Sequence, residues 1–309
     1  MKILITGGAG FIGSNIADEL INIGHDVAVV DNLSSGKKEN LNIKARLYYV
    51  DIRDKKIEDV FYKEKFEIVI HHAAQIDVRK SVADPRFDAE VNILGLLNLL
   101  ENSVKYGVKK FINVSSGGVI YGDDAKLPIK EEERKNPISP YGIAKLTAEY
   151  YVNFYHLVHG LKFTTLRYSN VYGKRQDPLG EAGVVAIFSN LMLQSKQPTI
   201  FGNGKQTRDY VYVKDVVEAN ILAMTKGDNE AFNIGTGKET DVNKVFELLK
   251  IYTSYTGKPI YVPARPGELL RNSLNTDKAK RLLGWQPKFN IELGLKETIE
   301  WLKLTSGKN

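Results

Sequence analysis

A glycine turn between a short apolar run and a helical pattern constrains this chain more than any other feature. Residues 2–15 read KILITGGAGFIGSN. Residues 3–6 have strand length and are apolar, Gly7-Gly8-Ala9-Gly10 interrupts them, and a helical pattern runs from Phe11 to about residue 23. Strand, tight turn and helix in that order predict the opening of a doubly wound parallel sheet with a dinucleotide at the turn. Gly7 suits positive φ, Gly10 removes a Cβ from the path of a pyrophosphate, and Gly13 lets the helix lie close on the strand. The amides of Phe11 and Ile12 open the helix and face the phosphates.

A lone glycine fingerprint is weak, and the next segment strengthens it. A second apolar run over 26–30 ends at Asp31. An acid about 20 residues beyond the turn holds a ribose with both hydroxyls free and repels a 2′-phosphate, so NAD is expected rather than NADP. The competing reading of Asp31 is a loop cap. The polar loop that follows brings Asn32, Ser34, Ser35 and Gly36 to the adenosine ribose. A third strand over 47–50 closes on Asp51 and Ile52, at the crevice where such sheets bind ligands. Asp51 either accepts from an adenine amino group or caps a helix beginning near Asp54; spacing suits both.

A fourth strand over 67–71 leads into His72, Ala73, Ala74 and Gln75. Neighbours on a strand point to opposite faces, so His71 and His72 do not chelate one ion, and no metal is expected. Small Ala73 and Ala74, with Gln75 beside them, let a cofactor pass over the sheet. Residues 87–106 read as a long helix whose middle, VNILGLLNLL, is apolar on most sides. Such a helix buries a second face besides the one on its sheet, which predicts a homodimer through 87–106 and the 141–159 helix. A fifth strand over 109–115 completes the alternation of a doubly wound α/β fold.

The chain has 309 residues, room for one large α/β unit and a smaller one. The expected division is 1–172 with 214–235 returning to it, and 173–309 mainly for substrate. No cysteine is present, which removes disulfides and thiolate metal sites. The formal net charge of +6 is scattered, with pairs such as Lys37-Lys38, so nucleic-acid binding is not expected. The first strand is read as beginning at residue 2, so no signal peptide is expected, and no apolar run approaches the ~20 residues of a membrane span. A soluble, cytoplasmic protein is expected.

The chemistry centres on Tyr141 and Lys145, four apart at the start of a helix running to about residue 159. That spacing puts both on one helical face. A phenol with pKa ~10 is a poor base at neutral pH, but a nearby ammonium and an oxidised nicotinamide favour its phenolate. It then takes the proton of a substrate hydroxyl while hydride leaves. With 16 tyrosines in the chain the spacing alone is weak; its place after the fifth strand makes it specific.

Taken together, GGAGFIGS (7–14), DNLSSG (31–36), HHAAQIDV (71–78), SSGGVIYG (115–122), YGIAK (141–145), RYSNVYG (167–173) and FGNGKQTRDYVYVKD (201–215) resemble the extended short-chain dehydrogenase/reductases. Within that group the chain is similar to the UDP-glucose 4-epimerases. The resemblance implies transient oxidation at C4 of a UDP-hexose by bound NAD. The family pattern places a catalytic Ser or Thr at the position of Gly117; Ser116 is the expected substitute, with Ser115 second. No carboxylate precedes Tyr121 in the loop GGVI, which separates the chain from dehydratases and decarboxylases of the family. By resemblance Asn170 and Arg208 bind the diphosphate, Arg265 is the second phosphate arginine, Phe201 lies near uracil and Val171 near the nicotinamide. The gatekeeper tyrosine of strict glucose/galactose enzymes falls on Asn272 or Ser273; both are smaller, so N-acetylated sugars are expected to fit. The rivals are a UDP-glucuronate 4-epimerase or another nucleotide-sugar isomerase, a 4-keto-sugar reductase consuming NADH, and a non-catalytic NAD-sensing module. The last has no use for the Tyr141–Lys145 pair.

Overall fold

The computed structural model describes residues 1–179, 183–264 and 269–306. Its centre is a seven-stranded sheet. The strands are β1 (Lys2–Thr6), β2 (Asp26–Asp31), β3 (Arg46–Tyr49), β4 (Ile68–His71), β5 (Lys110–Ser116), β6 (Lys162–Tyr168) and β11 (Glu230–Ile234). They run in the order β11-β6-β5-β4-β1-β2-β3, every neighbour parallel. Chain order reverses beside β1, so the carboxyl ends of β1 and β4 open a crevice at the switch point.

A parallel sheet buries both faces, and its side chains divide accordingly. Ile3, Ile5, Val29, Ile70, Ile112 and Leu166 meet Ile16 and Leu20 of α1 (Phe11–Asn22) and Val216 and Ala219 of α8 (Val213–Ala223). Leu4, Val30, Val69, Phe111 and Phe163 meet Phe61 of α2 (Ile57–Glu64), Leu96, Leu99 and Leu100 of α5 (Gly95–Lys105), and Ala148 and Val152 of α6 (Pro140–His159). Each such aliphatic or aromatic side chain contributes roughly 1.5–3 kcal/mol on burial.

A second core lies in the C-terminal part. Phe188 and Met192 of α7 (Val184–Leu193), Val245, Phe246 and Leu249 of α9 (Val242–Thr253), and Leu295 and Ile299 of α11 (Ile291–Ser306) close around Tyr172 and Tyr212. Val171 touches both cores. The paired strands β7 (Asn170–Tyr172) and β10 (Tyr210–Tyr212) link them. Trp285, fully buried, donates from Nε1 to the Asp215 carbonyl at 2.8 Å, and the Asp215 carboxylate accepts from the amides of Lys288 and Phe289. The chain after α10 (Asp277–Leu282) is thereby tied back to α8. Among the described residues no helix is long and apolar enough to cross a membrane.

Two local expectations change. The helix expected over 87–106 is α4 (Pro85–Ala89), a π turn over Glu90–Leu94, and then α5. The π turn carries Asn92, whose side chain is buried and exchanges two hydrogen bonds with the Gln75 backbone, each 2.9 Å. An amide seeking those partners competes with regular helix bonding. The helix expected from Asp54 begins at Ile57 behind Lys56, and Asp51 does not cap it. The Asp51 carboxylate instead accepts from the Arg53 amide, the Arg53 guanidinium and Asn32 Nδ2. Those bonds, chiefly the guanidinium, pull its pKa down to about 2.

The first turn is closely packed against the end of the strand beside it. Gly7 has φ +69°, and a Cβ there would lie 2.6 Å from the Ala73 nitrogen. Replacing Gly7 with Ala is expected to cost at least about 2 kcal/mol of unfolding free energy, read from urea melts.

Candidate active site

The glycine turn forms an open cradle. A Cβ at Gly13 would lie 2.4 Å from the Gly7 carbonyl oxygen, whereas one at Gly10 would meet only that oxygen, at 3.2 Å. Helix and turn are therefore in contact at Gly13, while the outer side at Gly10 is clear. Gly10 is also the N-cap of α1, with no capping side chain and no acid in the first turn. The amides of Phe11 and Ile12 thus present an uncancelled positive helix end.

Asp31 ends β2 beneath this turn. It is buried, and its carboxylate accepts from the amides of Ala9 at 2.9 Å and Leu33 at 2.8 Å. Burial pushes its pKa up, and the two amides oppose that. Gly36 passes directly above: a Cβ there would lie 2.9 Å from each carboxylate oxygen. Asn32 accepts from the Ser34 amide and donates to Asp51, and with Tyr49, Val50 and Asp51 it lines a groove of about 440 Å³. Ser35 is an exposed residue of the same loop. Ile52 points elsewhere. Its side chain is buried in the core against the position of Gly95, and its carbonyl accepts from Asn98. On the other side of the turn, Thr6 Oγ1 accepts from the Ala73 amide and pairs with His71 Nδ1, which fixes the path through Ala73 and Ala74. His72 turns away to stack on Tyr168.

Tyr141 and Lys145 open α6. Ser139 caps the helix through the Gly142 amide at 3.1 Å, and Pro140 takes the first position, where a missing N–H costs nothing. Lys145 Nζ sits 5.8 Å from the Tyr141 ring centroid and donates to the Val114 carbonyl at 3.0 Å. The lysine is only 6% exposed, and burial lowers its pKa to about 8. His71 and His72, desolvated and facing the same ammonium, are held far below their usual range, His72 at about 3. The opposing charge is Asp88, buried, its pKa raised by burial, its carboxylate accepting from Gln75 Nε2 and Asn92 Nδ2.

The opposite wall is built around Asp209. This carboxylate is fully buried and accepts from the amides of Thr236, Gly237 and Leu274. Its own carbonyl accepts from the Asn170 amide at 2.9 Å. Arg208 precedes it in β9 (Thr207–Arg208), its Nη1 donating to the Thr207 carbonyl. Asp209 thus draws three segments together: its carboxylate holds the 236–237 turn and Leu274, and its backbone carbonyl holds Asn170. Phe201 ends β8 (Thr199–Phe201), and its carbonyl accepts from Gln206. Arg265 lies outside the described residues. Asn272 and Ser273 are each 2% exposed, and Asn272 Nδ2 donates to the Gly117 carbonyl at 3.3 Å.

At the end of β5 the two serines separate. Ser115 shares the α6 face of the sheet with Phe111 and is buried. Ser116 is on the opposite face, half-buried, and its carbonyl accepts from the amides of Val119 and Ile120. At Gly117 a Cβ would lie 2.5 Å from Leu274 Cδ1. Leu274 fills the volume that a serine or threonine side chain would enter.

Residues 3–235 match the model of the NAD dependent epimerase/dehydratase family. The chain belongs to that family. A UDP-glucose 4-epimerase of Thermotoga maritima, solved with UDP-glucose, is 56% identical, with a TM-score of 0.98 over 99% of this chain and 100% of that one. The Thermus thermophilus UDP-glucose 4-epimerase, solved with NAD, is 41% identical, with a TM-score of 0.92 over 98% and 99% of the two chains. The UDP-glucose 4-epimerase of Mycolicibacterium smegmatis is 41% identical over 98% of this chain and 99% of its own.

The cradle fits the family's cofactor. A clear approach at Gly10, free helix amides and a carboxylate under the ribose loop match a dinucleotide without a 2′-phosphate. Several contributors escaped sequence reasoning: Thr6, Asp88, Asn92, Arg167, Asp209 and Leu274. Asn92 and Arg167 did leave a signal, since a polar residue in an apolar helix or strand requires a partner.

A Lys145 that is charged when unfolded up to pH 10.5 but only to about pH 8 when folded carries a penalty that is complete below pH 8 and gone by pH 10.5. NAD-free protein should therefore gain roughly 3 kcal/mol relative to its Lys145→Met variant across that window, as measured by urea melts.

Proposed function

We propose that the chain is a UDP-hexose 4-epimerase, an isomerase that interconverts UDP-glucose and UDP-galactose with bound NAD. The observation that carries this reading is the Tyr141–Lys145 pair on α6, at the carboxyl end of the sheet that presents the dinucleotide turn. We assign Tyr141 as the base. Its phenolate takes the proton of the C4 hydroxyl, with Ser116 sharing the hydrogen bond in place of a side chain at Gly117. The Lys145 ammonium holds the phenolate form by proximity. When bound, NAD supplies the hydride acceptor and donor at C4. The same tyrosine returns the proton after the keto sugar has turned its other face, so no net redox occurs.

That turn requires a firm hold on UDP and a loose hold on the sugar. Asn170, Arg208 and Phe201 supply the first, with Arg265 as a further phosphate ligand; arginine's planar fork suits a diphosphate. Asn272 and Ser273 leave the second, and the loop 117–121 brings no carboxylate for elimination or decarboxylation. We divide the chain into a cofactor unit, 1–172 with 214–235, and a substrate unit, mainly 173–309. We place the reaction in the cytoplasm.

Incubation with UDP-galactose, UDP-GalNAc and UDP-galacturonate, without added NAD, is expected to convert the first two to their C4 epimers. Conversion of only UDP-galacturonate would point to a UDP-glucuronate 4-epimerase. Tyr141→Phe should retain NAD and lose at least about 100-fold in kcat.

We also propose a homodimer. The outer face of α6 exposes Ile143, Tyr150, Phe154, Leu157 and Val158, Leu157 by 72%, and Leu94 continues the patch from the π turn. A groove of about 340 Å³ lined by Thr147, Tyr150, Tyr151 and Phe154 runs between them. Contiguous apolar surface of this kind marks an interface, and α5 and α6 of two copies can pair about a two-fold axis. Leu157→Glu combined with Phe154→Glu is expected to give a monomer by light scattering.

A further inference from the structure

Tyr141 and Lys145 are followed, four residues on, by Glu149, so all three occupy one stripe of α6. Glu149 meets Arg167 of β6 in a bidentate pair, Nε to Oε1 at 2.9 Å and Nη2 to Oε2 at 2.7 Å. Arg167 is 5% exposed. Its remaining arm, Nη1, donates to the Tyr121 hydroxyl at 2.8 Å and to the Glu131 carbonyl at 3.2 Å. Tyr121 passes its own proton to Asn233 Oδ1 at 2.8 Å. Asn233 in turn donates from its amide to Glu131 Oε1 and from Nδ2 to the Ile129 carbonyl.

One guanidinium therefore joins three segments distant in sequence: the helix bearing Tyr141, the turn bearing Ser116, and the 129–131 loop on β11. Stability alone does not call for such a pair, because a buried ion pair is often no better than apolar residues of the same volume. Geometry does call for it. A planar fork with both ends occupied sets the rotation of α6 and the placement of the 117–122 turn against one strand.

We propose that Arg167 is a positioning residue of the reaction. It fixes the helix that carries Tyr141 against the 117–122 turn, and with it the placement of the Tyr141 hydroxyl over the C4 hydroxyl. The proposal rests on the epimerase reading above. Misplacement of reacting groups by about 1 Å is worth about 100-fold in rate, so the effect belongs to kcat and leaves binding of UDP and NAD in place.

The test uses four variants of the NAD-loaded enzyme with UDP-galactose, the fourth being Arg167→Ala. Arg167→Met combined with Glu149→Leu removes both charges at similar volume; Arg167→Lys keeps charge and loses the fork; Tyr121→Phe cuts one arm by a single hydroxyl. The double variant should lose about 100-fold in kcat with KM and NAD content within about twofold of wild type, and Arg167→Lys and Tyr121→Phe should each lose about 10-fold. Addition of guanidinium to Arg167→Ala should restore part of kcat. Folded variants with kcat within about threefold of wild type would overturn the role. So would a loss of kcat that only tracks loss of NAD and of melting temperature. Should the double variant not fold, the Tyr121→Phe result decides. Absence of turnover by wild type would remove the epimerase reading and this role together, whereas wild-type turnover with unimpaired variants removes the role alone.

Discussion

A cation held out of water underlies the arrangement of this molecule. Lys145 is surrounded by β5 and α6, its ammonium satisfied by one carbonyl of the sheet and opposed by a carboxylate from another helix. Desolvating such a charge is expensive, and the chain does it beside the ring of Tyr141. Much of the surrounding structure serves that placement. The serine cap and Pro140 start α6 at a defined residue, and Glu149 clamps it further along. Both neighbouring histidines are kept neutral, so they add no competing positive charge. The electrostatic strain of the site is offset elsewhere, in a sheet whose two faces are closed by aliphatic packing.

The dinucleotide cradle and the tyrosine approach each other because of chain topology. The glycine turn follows the strand at the switch point, and the serines and α6 follow β5, two strands away across β4. Parallel strands deliver all of these at the same edge. The substrate wall arrives by a different route. The β7–β10 pair crosses between the two cores, and Asp209 gathers the segments around it by accepting their amides. A carboxylate is suited to this task because it accepts several N–H groups at once.

Much of this is legible in the sequence. Short apolar runs and glycine punctuation identified the sheet's first five strands, and the expected return of 214–235 brings β11 to the sheet's edge. Gly7, Gly10, Gly13 and Asp31 pointed to a dinucleotide turn because their spacing suits a pyrophosphate and a ribose. What stayed hidden depends on contacts between distant segments. Nothing local to Asp88 shows that it opposes Lys145, and nothing local to Asp209 shows that it organises three loops. The break in the 87–106 helix has the same origin, since Asn92 answers to the backbone of Gln75. The side chain of Ile52 lies in the core, which its place after the third strand did not announce.

Gly117 and Leu274 occupy one volume between them. A side chain added at position 117 would have to displace the tip of Leu274, and shrinking the leucine alone would open a void beside the sugar wall. The wall beside the turn is therefore closed there by an aliphatic side chain, and any hydroxyl that reaches the sugar must come from another position.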